Sequence, residues 1–207
     1  MNSGAAALTP LVDGIAFGSA SEADFEPRTL HPEEERMGEQ MLPARRRDFR
    51  LGRSAGHRAL AALGAQDGPI LMDGRRPKFP SGWTGSLSHS AGVAVAIVAP
   101  TARARSVGID LELRALPARA ARLVLRPEEL HCVAEGRCSC TEAFSAKEAA
   151  FKALSPLLGQ DVEALRQLQL EPAAGGFVVR QAQRPDVQAF VSVRPLLGGV
   201  LAWTAIV

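Results

Sequence analysis

Asp110 and Glu112 put two acids into Val107-Gly108-Ile109-Asp110-Leu111-Glu112-Leu113, a segment that otherwise reads as a buried strand. Alternate side chains of a strand share a face, so Asp110 and Glu112 point one way and Ile109, Leu111 and Leu113 the other. Two like charges this close need water, a partner or a shared cation, and a hard divalent ion suits carboxylate oxygens. The segment alone leaves two readings open, a half-exposed strand whose acids face water and a metal site. A third acid, Glu148, falls at i+4 between Phe144 and Phe151 on a helical stripe that should face the core. It either forms a helical ion pair with Lys152 or meets a cation, and Lys147 lies alongside.

The elements that must hold these residues follow from the turn and breaker signals. A first strand is expected near Asp13 to Phe17, then a polar loop from Ser19 to Thr29. Pro32 opens a helix whose Glu33, Glu34 and Glu35 complement its positive end. Pro43 interrupts it, and a second helix runs from about Ala44 to Leu63 with Gly64 as its stop. That helix carries Arg45, Arg46, Arg47, Arg50, Arg53 and Arg58, either a solvated basic face or a set of phosphate ligands, since the guanidinium fork matches phosphate oxygens. Pro69 to Met72 reads as a short strand, Asp73-Gly74 as a turn, and Arg75 to Pro80 as a rigid loop. Gly85-Ser86-Leu87-Ser88-His89-Ser90 reads as small residues at a strand end that could cradle a phosphate, and Val93 to Val98 as an apolar strand. Arg114 to Arg126 is a basic, leucine-bearing segment, and Pro127 starts a short helix. Thr141 is the expected cap of the helix from Glu142 to Leu154, closed by Pro156 and Gly159. The tail from Leu168 to Val207 alternates short extended runs with breaks, an antiparallel pattern.

The chain has 207 residues and 46% hydrophobic content, enough for a sizeable core. Its 24 basic and 22 acidic residues nearly cancel, so no overall field argues for nucleic acid and any anion site must be local. Cys132, Cys138 and Cys140 are odd in number and clustered, which suggests free thiols in a reducing compartment; a zinc site with His131 fits no common spacing. Met1 to Leu8 lacks the pattern of a secretory signal and no apolar run is long enough to span a bilayer, so a cytoplasmic protein without a membrane partner is expected. Pro100 to Ser106 is the best linker candidate. It divides an N-terminal subdomain, residues 1–100, from a C-terminal one, residues 107–207, with 101–106 between them.

Gly108-Ile109-Asp110-Leu111-Glu112 followed by Phe144-Ser145-Ala146-Lys147-Glu148-Ala149-Ala150-Phe151-Lys152-Ala153 closely resembles the paired signature of the 4′-phosphopantetheinyl transferases. Gly74-Arg75-Arg76-Pro77 and Gly85 to Ser90 resemble further motifs of that family. Phe49-Arg50-Leu51-Gly52-Arg53-Ser54-Ala55 looks like the version in its larger, siderophore- and surfactin-synthetase-activating branch. The resemblance covers roughly residues 43 to 154, and five motifs in order make it specific.

The resemblance implies an α+β fold of two similar subdomains related by a pseudo-two-fold, each a small, mostly antiparallel sheet packed with a long helix, with coenzyme A in the cleft between them. It implies transfer of the 4′-phosphopantetheine arm of coenzyme A to a serine of an acyl or peptidyl carrier protein, apo to holo, with release of 3′,5′-ADP. Asp110, Glu112 and Glu148 match the carboxylates that hold Mg2+, with Mn2+ an alternative. Glu148 is also the candidate base, acting directly or through a metal-bound water, while Lys152 matches a lysine placed on the pyrophosphate and Lys147 is the adjacent basic residue of the same motif, a further coenzyme A contact. Ser88 and His89 match residues on the 3′-phosphate, Arg53 a further phosphate ligand with Arg45 and Arg46 beside it, and Arg76 and Pro77 the loop against adenine. The implied partners are carrier domains of fatty-acid, polyketide or nonribosomal peptide synthases, acting on a monomer. Arg119, Arg122 and Leu123 are the candidate docking surface for an acidic carrier. Two other readings use the same residues: a metal-dependent nucleotide phosphohydrolase, and a non-catalytic coenzyme A or carrier-binding module.

Overall fold

The computed structural model describes residues 14–24, 30–159 and 164–207, so Met1 to Leu8, Asp13 and the end of the expected Ser19 to Thr29 loop lie outside the described residues. The chain divides into two compact units, Met1–Ala104 and Arg105–Val207.

The first unit runs β1 (Ala16–Ser21), α1 (Pro32–Glu39), α2 (Pro43–Ala62), β2 (Leu71–Asp73), β3 (Arg76–Lys78), β4 (Trp83–Ser90) and β5 (Val93–Pro100). An antiparallel sheet in the order β1-β5-β4 packs on α2, and β2 and β3 form a separate hairpin. Small residues let the layers close. A Cβ added to Gly18 on β1 would lie 2.0 Å from the Ala55 carbonyl oxygen, so strand and helix touch backbone to backbone there. Glu34, in the first turn of α1, is fully buried and accepts from the His31 amide (3.0 Å), the Ile70 amide (2.7 Å) and His57 Nε2 (2.8 Å). Burial pushes its pKa up, but the bond and charge of His57 and the two amides pull it below the usual carboxylate value.

The second unit runs β6 (Ser106–Glu112), α3 (Ala118–Val124), α4 (Pro127–Ala134), α5 (Cys140–Leu158), β7 (Leu168–Ala173), β8 (Gly176–Gln181), β9 (Arg184–Leu196) and β10 (Gly199–Ile206). Its antiparallel sheet has the order β6-β10-β9-β8-β7 and packs on α5. With α3 set aside, its element order repeats that of the first unit, strand, short helix, long helix and four strands. The details repeat too. A Cβ on Gly108 of β6 would lie 1.9 Å from the Ala149 carbonyl oxygen of α5. Glu129, in the first turn of α4, is buried and accepts from the Arg126 amide (2.8 Å), the Leu170 amide (2.9 Å) and Lys147 Nζ (2.7 Å). The expected α+β class with two similar halves is met.

Several local expectations change. β1 continues through Ser19 to Ser21, because those residues pair with Val93 to Val95 of β5 whatever their polarity. Arg76 to Lys78 form a strand rather than a rigid loop, paired across the Gly74 turn with Leu71 to Asp73. Gly85 to Ser90 belong to an eight-residue strand; Gly85 is small because the Phe79 ring packs where its side chain would be. The segment Arg114 to Arg126 is helical only over the seven residues of α3. Ser139, not Thr141, caps α5: its hydroxyl accepts from the Glu142 amide, and the Glu142 carboxylate accepts from the Ser139 amide. Pro156 lies inside α5, and Gly159 alone ends it. The core face of α5 is alanine, with Ala143, Ala146, Ala149, Ala150 and Ala153 all fully buried, whereas Phe144 and Phe151 are half-buried. The three cysteines are free thiols. Among the described residues no helix is long and apolar enough to cross a membrane.

Candidate active site on β6 and α5

Gly108 brings β6 against α5, and the close approach places Asp110, two residues on and on the same face, under the helix. Asp110 is buried, with 4% of its surface exposed. Its Oδ1 accepts from Lys152 Nζ at 2.8 Å and its Oδ2 from the Ser145 hydroxyl at 2.9 Å. Lys152 Nζ also donates to the Ile109 carbonyl at 3.0 Å. Of the two readings of Glu148, the helical pair with Lys152 gives way to an ion pair from Lys152 to Asp110 on the strand.

Glu112 and Glu148 complete a negatively charged seam. Burial pushes the Glu112 carboxyl up to about 7, helped by the charges of Asp110 and Glu148 and opposed by Lys152. Burial likewise raises Glu148, with Asp110 adding and Lys152 opposing. One lysine thus faces three mutually repelling carboxylates, and a divalent cation with oxygen ligands suits the charge and chemistry of that set. Among the described residues no three His, Cys, Asp or Glu side chains already stand gathered as a metal cage. The donors fit an ion in type and charge.

Lys147 turns away from this seam. Its ammonium is fully buried and bonded to Glu129 Oε2 at 2.7 Å and the Val124 carbonyl at 3.2 Å, so the residue expected beside the pyrophosphate is tied into the fold instead. Burial lowers its pKa, against the bond and charge of Glu129.

In the first unit the expected phosphate ligands are dispersed. Arg45 is exposed. Arg46 donates to the carbonyls of Gly38 (2.7 Å), Glu39 (2.6 Å) and Met41 (3.5 Å), capping the C-terminal end of α1. Arg53 is buried, stacked 4.2 Å over the Phe49 ring and donating from Nη2 to the Leu71 carbonyl at 3.1 Å and to Met72 Sδ at 3.0 Å. Burial lowers its pKa to about 10, with Glu34 opposing, and its buried Nε has no hydrogen-bond partner among the described residues. Ser88 and His89 are adjacent on β4 and so face opposite sides. Ser88 is buried, while His89 is exposed and its Nδ1 lies 3.7 Å from Asp48 Oδ2 on α2. Arg76 is exposed and Pro77 half-buried on the β2–β3 hairpin. A cavity of about 360 Å³ is lined by Glu22, Pro43, Arg46, Arg47, Arg50 and Leu51. Arg47 pairs with Glu22 at 2.9 Å and Arg50 with Glu35 at 2.8 Å, so an anion entering it competes with carboxylates. In the second unit Arg119, Arg122 and Leu123 are exposed on α3.

Two residues of the seam escaped the sequence reasoning. Ser145 holds Asp110, and Thr141 Oγ1 accepts from the Leu116 amide at 2.9 Å, pinning the chain that leaves β6. With Glu148 and Lys152 they fall at i, i+4, i+7 and i+11, one face of a helix, and that spacing of polar residues was the available signal.

The sequence model of the 4′-phosphopantetheinyl transferase N-terminal domain matches residues 33–99, and that of the 4′-phosphopantetheinyl transferase superfamily matches residues 106–195. The chain is 36% identical over 161 residues to 4′-phosphopantetheinyl transferase Svp of Streptomyces mobaraensis, covering 73% of this chain and 65% of that protein. It is 38% identical over 134 residues to 4′-phosphopantetheinyl transferase Npt of Nocardia iowensis, covering 61% of this chain and 60% of that protein. It is 31% identical over 118 residues to enterobactin synthase component D of Salmonella typhi, covering 54% and 49%. The chain thus spans less than two thirds of the length of these relatives.

Proposed function

We propose that this chain, which belongs to the 4′-phosphopantetheinyl transferase superfamily, moves the 4′-phosphopantetheine arm of coenzyme A onto a serine hydroxyl of a carrier protein and releases 3′,5′-ADP. The observation that carries the reading is the seam of Asp110, Glu112 and Glu148 on β6 and α5, three carboxylates against the single ammonium of Lys152. Asp110, Glu112 and Glu148 would hold Mg2+, or Mn2+ in its place. When bound, the ion polarises the attacked phosphorus and neutralises charge on the departing ADP.

The remaining work falls to the chain itself. Glu148 takes the proton of the carrier serine, directly or through a water. Lys152 reaches from Asp110 to the pyrophosphate, exchanging one oxyanion for another. Arg45 and His89, both exposed, are the proposed contacts of the 3′-phosphate, with Arg76 and Pro77 against adenine. Arg46 and Lys147 are assigned to holding the fold, because their polar atoms are already engaged there. Arg119, Arg122 and Leu123 form the proposed carrier-docking face, basic and apolar together. A cytoplasmic monomer acting on carrier domains fits this reading. The match to a component of enterobactin synthase favours siderophore or other secondary metabolism.

The test is the intact mass of an apo carrier protein after incubation with this chain, coenzyme A and Mg2+. A gain of one phosphopantetheine group, abolished by EDTA and by Asp110→Ala and Glu148→Ala, is expected. No gain with any of several carriers, despite coenzyme A binding, would overturn the reading in favour of a binding module. Phosphate release from nucleotides without carrier would favour a hydrolase.

A further inference from the structure

Ser145 stands in the alanine-lined stretch of α5, fully buried, at a seat an alanine would fill with better helix propensity. A serine inside a helix usually returns its hydroxyl to the carbonyl four residues back. Ser145 instead donates across to β6, to Asp110 Oδ2 at 2.9 Å, with the Asp110 backbone oxygen further off at 3.5 Å. The other carboxylate oxygen, Oδ1, is held by Lys152. Two donors on two oxygens fix the plane of the Asp110 carboxylate.

The two donors are not equivalent. Lys152 reaches Asp110 through a long, flexible stem, leaves 27% of its side chain exposed, and is the group assigned above to the pyrophosphate. Ser145 has one short rotor, sealed in the core. When Lys152 turns to the phosphate, the serine hydroxyl still holds Asp110 in place.

We propose that Ser145 is a positioning residue that fixes the Asp110 carboxylate for the divalent ion, setting metal affinity rather than the chemical step. The inference rests on the reading that Asp110 is a metal ligand. Partners of this kind, one shell out from the ion, change metal affinity by about 10- to 100-fold when removed.

The experiment is direct binding of Mn2+ to the purified full chain, followed by loss of the free-ion electron paramagnetic resonance signal, without coenzyme A. Ser145→Ala is expected to raise the Mn2+ dissociation constant by about 10- to 100-fold while keeping the thermal midpoint near wild type. Ser145→Cys, with a weaker donor, falls between. In turnover, Ser145→Ala should need more Mg2+ for half-saturation but regain kcat when Mg2+ saturates, whereas Asp110→Ala should not. Wild-type Mn2+ affinity in Ser145→Ala, or a kcat loss that saturating Mg2+ leaves in place, overturns the role given to Ser145 and leaves the metal reading standing. A wild-type chain that binds no Mn2+ overturns both.

Discussion

Lys147 lies in the motif that resembles a pyrophosphate site, yet it is bonded inside the second unit, and the two roles make opposite predictions. Lys147→Met removes the ammonium and keeps a straight side chain of similar volume. Glu129 would then keep the Arg126 and Leu170 amides but lose the counter-charge held at 2.7 Å. Breaking a buried ion pair on one side costs roughly 3–5 kcal/mol, and the two remaining amide donors argue for the lower end, about 3 kcal/mol. For a chain of this size, at about 2–4 °C per kcal/mol, the thermal midpoint should fall by about 6–12 °C. The assay is a circular dichroism melt beside steady-state kinetics at a temperature where both proteins are folded. The KM for coenzyme A should be unchanged. Adding Glu129→Gln removes the stranded charge, so the double variant should be less destabilised than the sum of the singles. A wild-type melt combined with a raised KM for coenzyme A would refute the structural assignment and return Lys147 to the substrate.

The Glu112 carboxyl, raised from 4.5 to about 7, makes the metal-free fold prefer the protonated acid. That contribution is full below about pH 4.5 and lost as pH rises through 7; with Glu112 half open to solvent, about 1–2 kcal/mol should disappear in urea titrations with EDTA, and millimolar Mg2+ should restore it above pH 7. Gly108→Ala would drive a methyl to 1.9 Å from the Ala149 carbonyl and push α5 off β6; we expect loss of cooperative unfolding or a large fall in melting temperature. Gly52→Ala, in the middle of α2, would meet only Leu87 Cδ1 at 3.6 Å and should stabilise by about 0.5–1 kcal/mol in denaturant titrations. Arg119→Glu with Arg122→Glu should raise the KM for carrier at least about tenfold while leaving that for coenzyme A alone, checked by varying each substrate; equal damage to both would refute the docking face.

The shared face of Asp110 and Glu112 was legible in the sequence because strand alternation alone sets it, with no need of tertiary knowledge. Proline-led helix starts at Pro32 and Pro127 were equally legible, since a missing amide proton and a fixed φ act locally, whereas Pro43, read as an interruption, is itself the first residue of α2. What failed depended on partners distant in sequence. Lys147 and Arg46 were read by charge, but their donors are spent on Glu129 and on the end of α1, which only the packed fold brings near. The phenylalanine stripe of α5 misled because the sheet approaches too closely for large side chains, so alanines took the core face. Ser139 won the cap from Thr141 because Glu142 stands three residues after it, a pattern that was visible and outweighed by the nearer threonine.

The seats of Gly18 on Ala55 and Gly108 on Ala149 are the same strand-to-helix contact made once in each unit. Setting those seats in register puts Ala20 opposite Asp110, Leu51 opposite Ser145 and Ser54 opposite Glu148. The same register puts Glu22 opposite Glu112, so the first unit keeps one acid and has Ala20 and Ser54 where the second has Asp110 and Glu148. A Cβ about 2 Å from a carbonyl oxygen is a clash, so both seats require glycine.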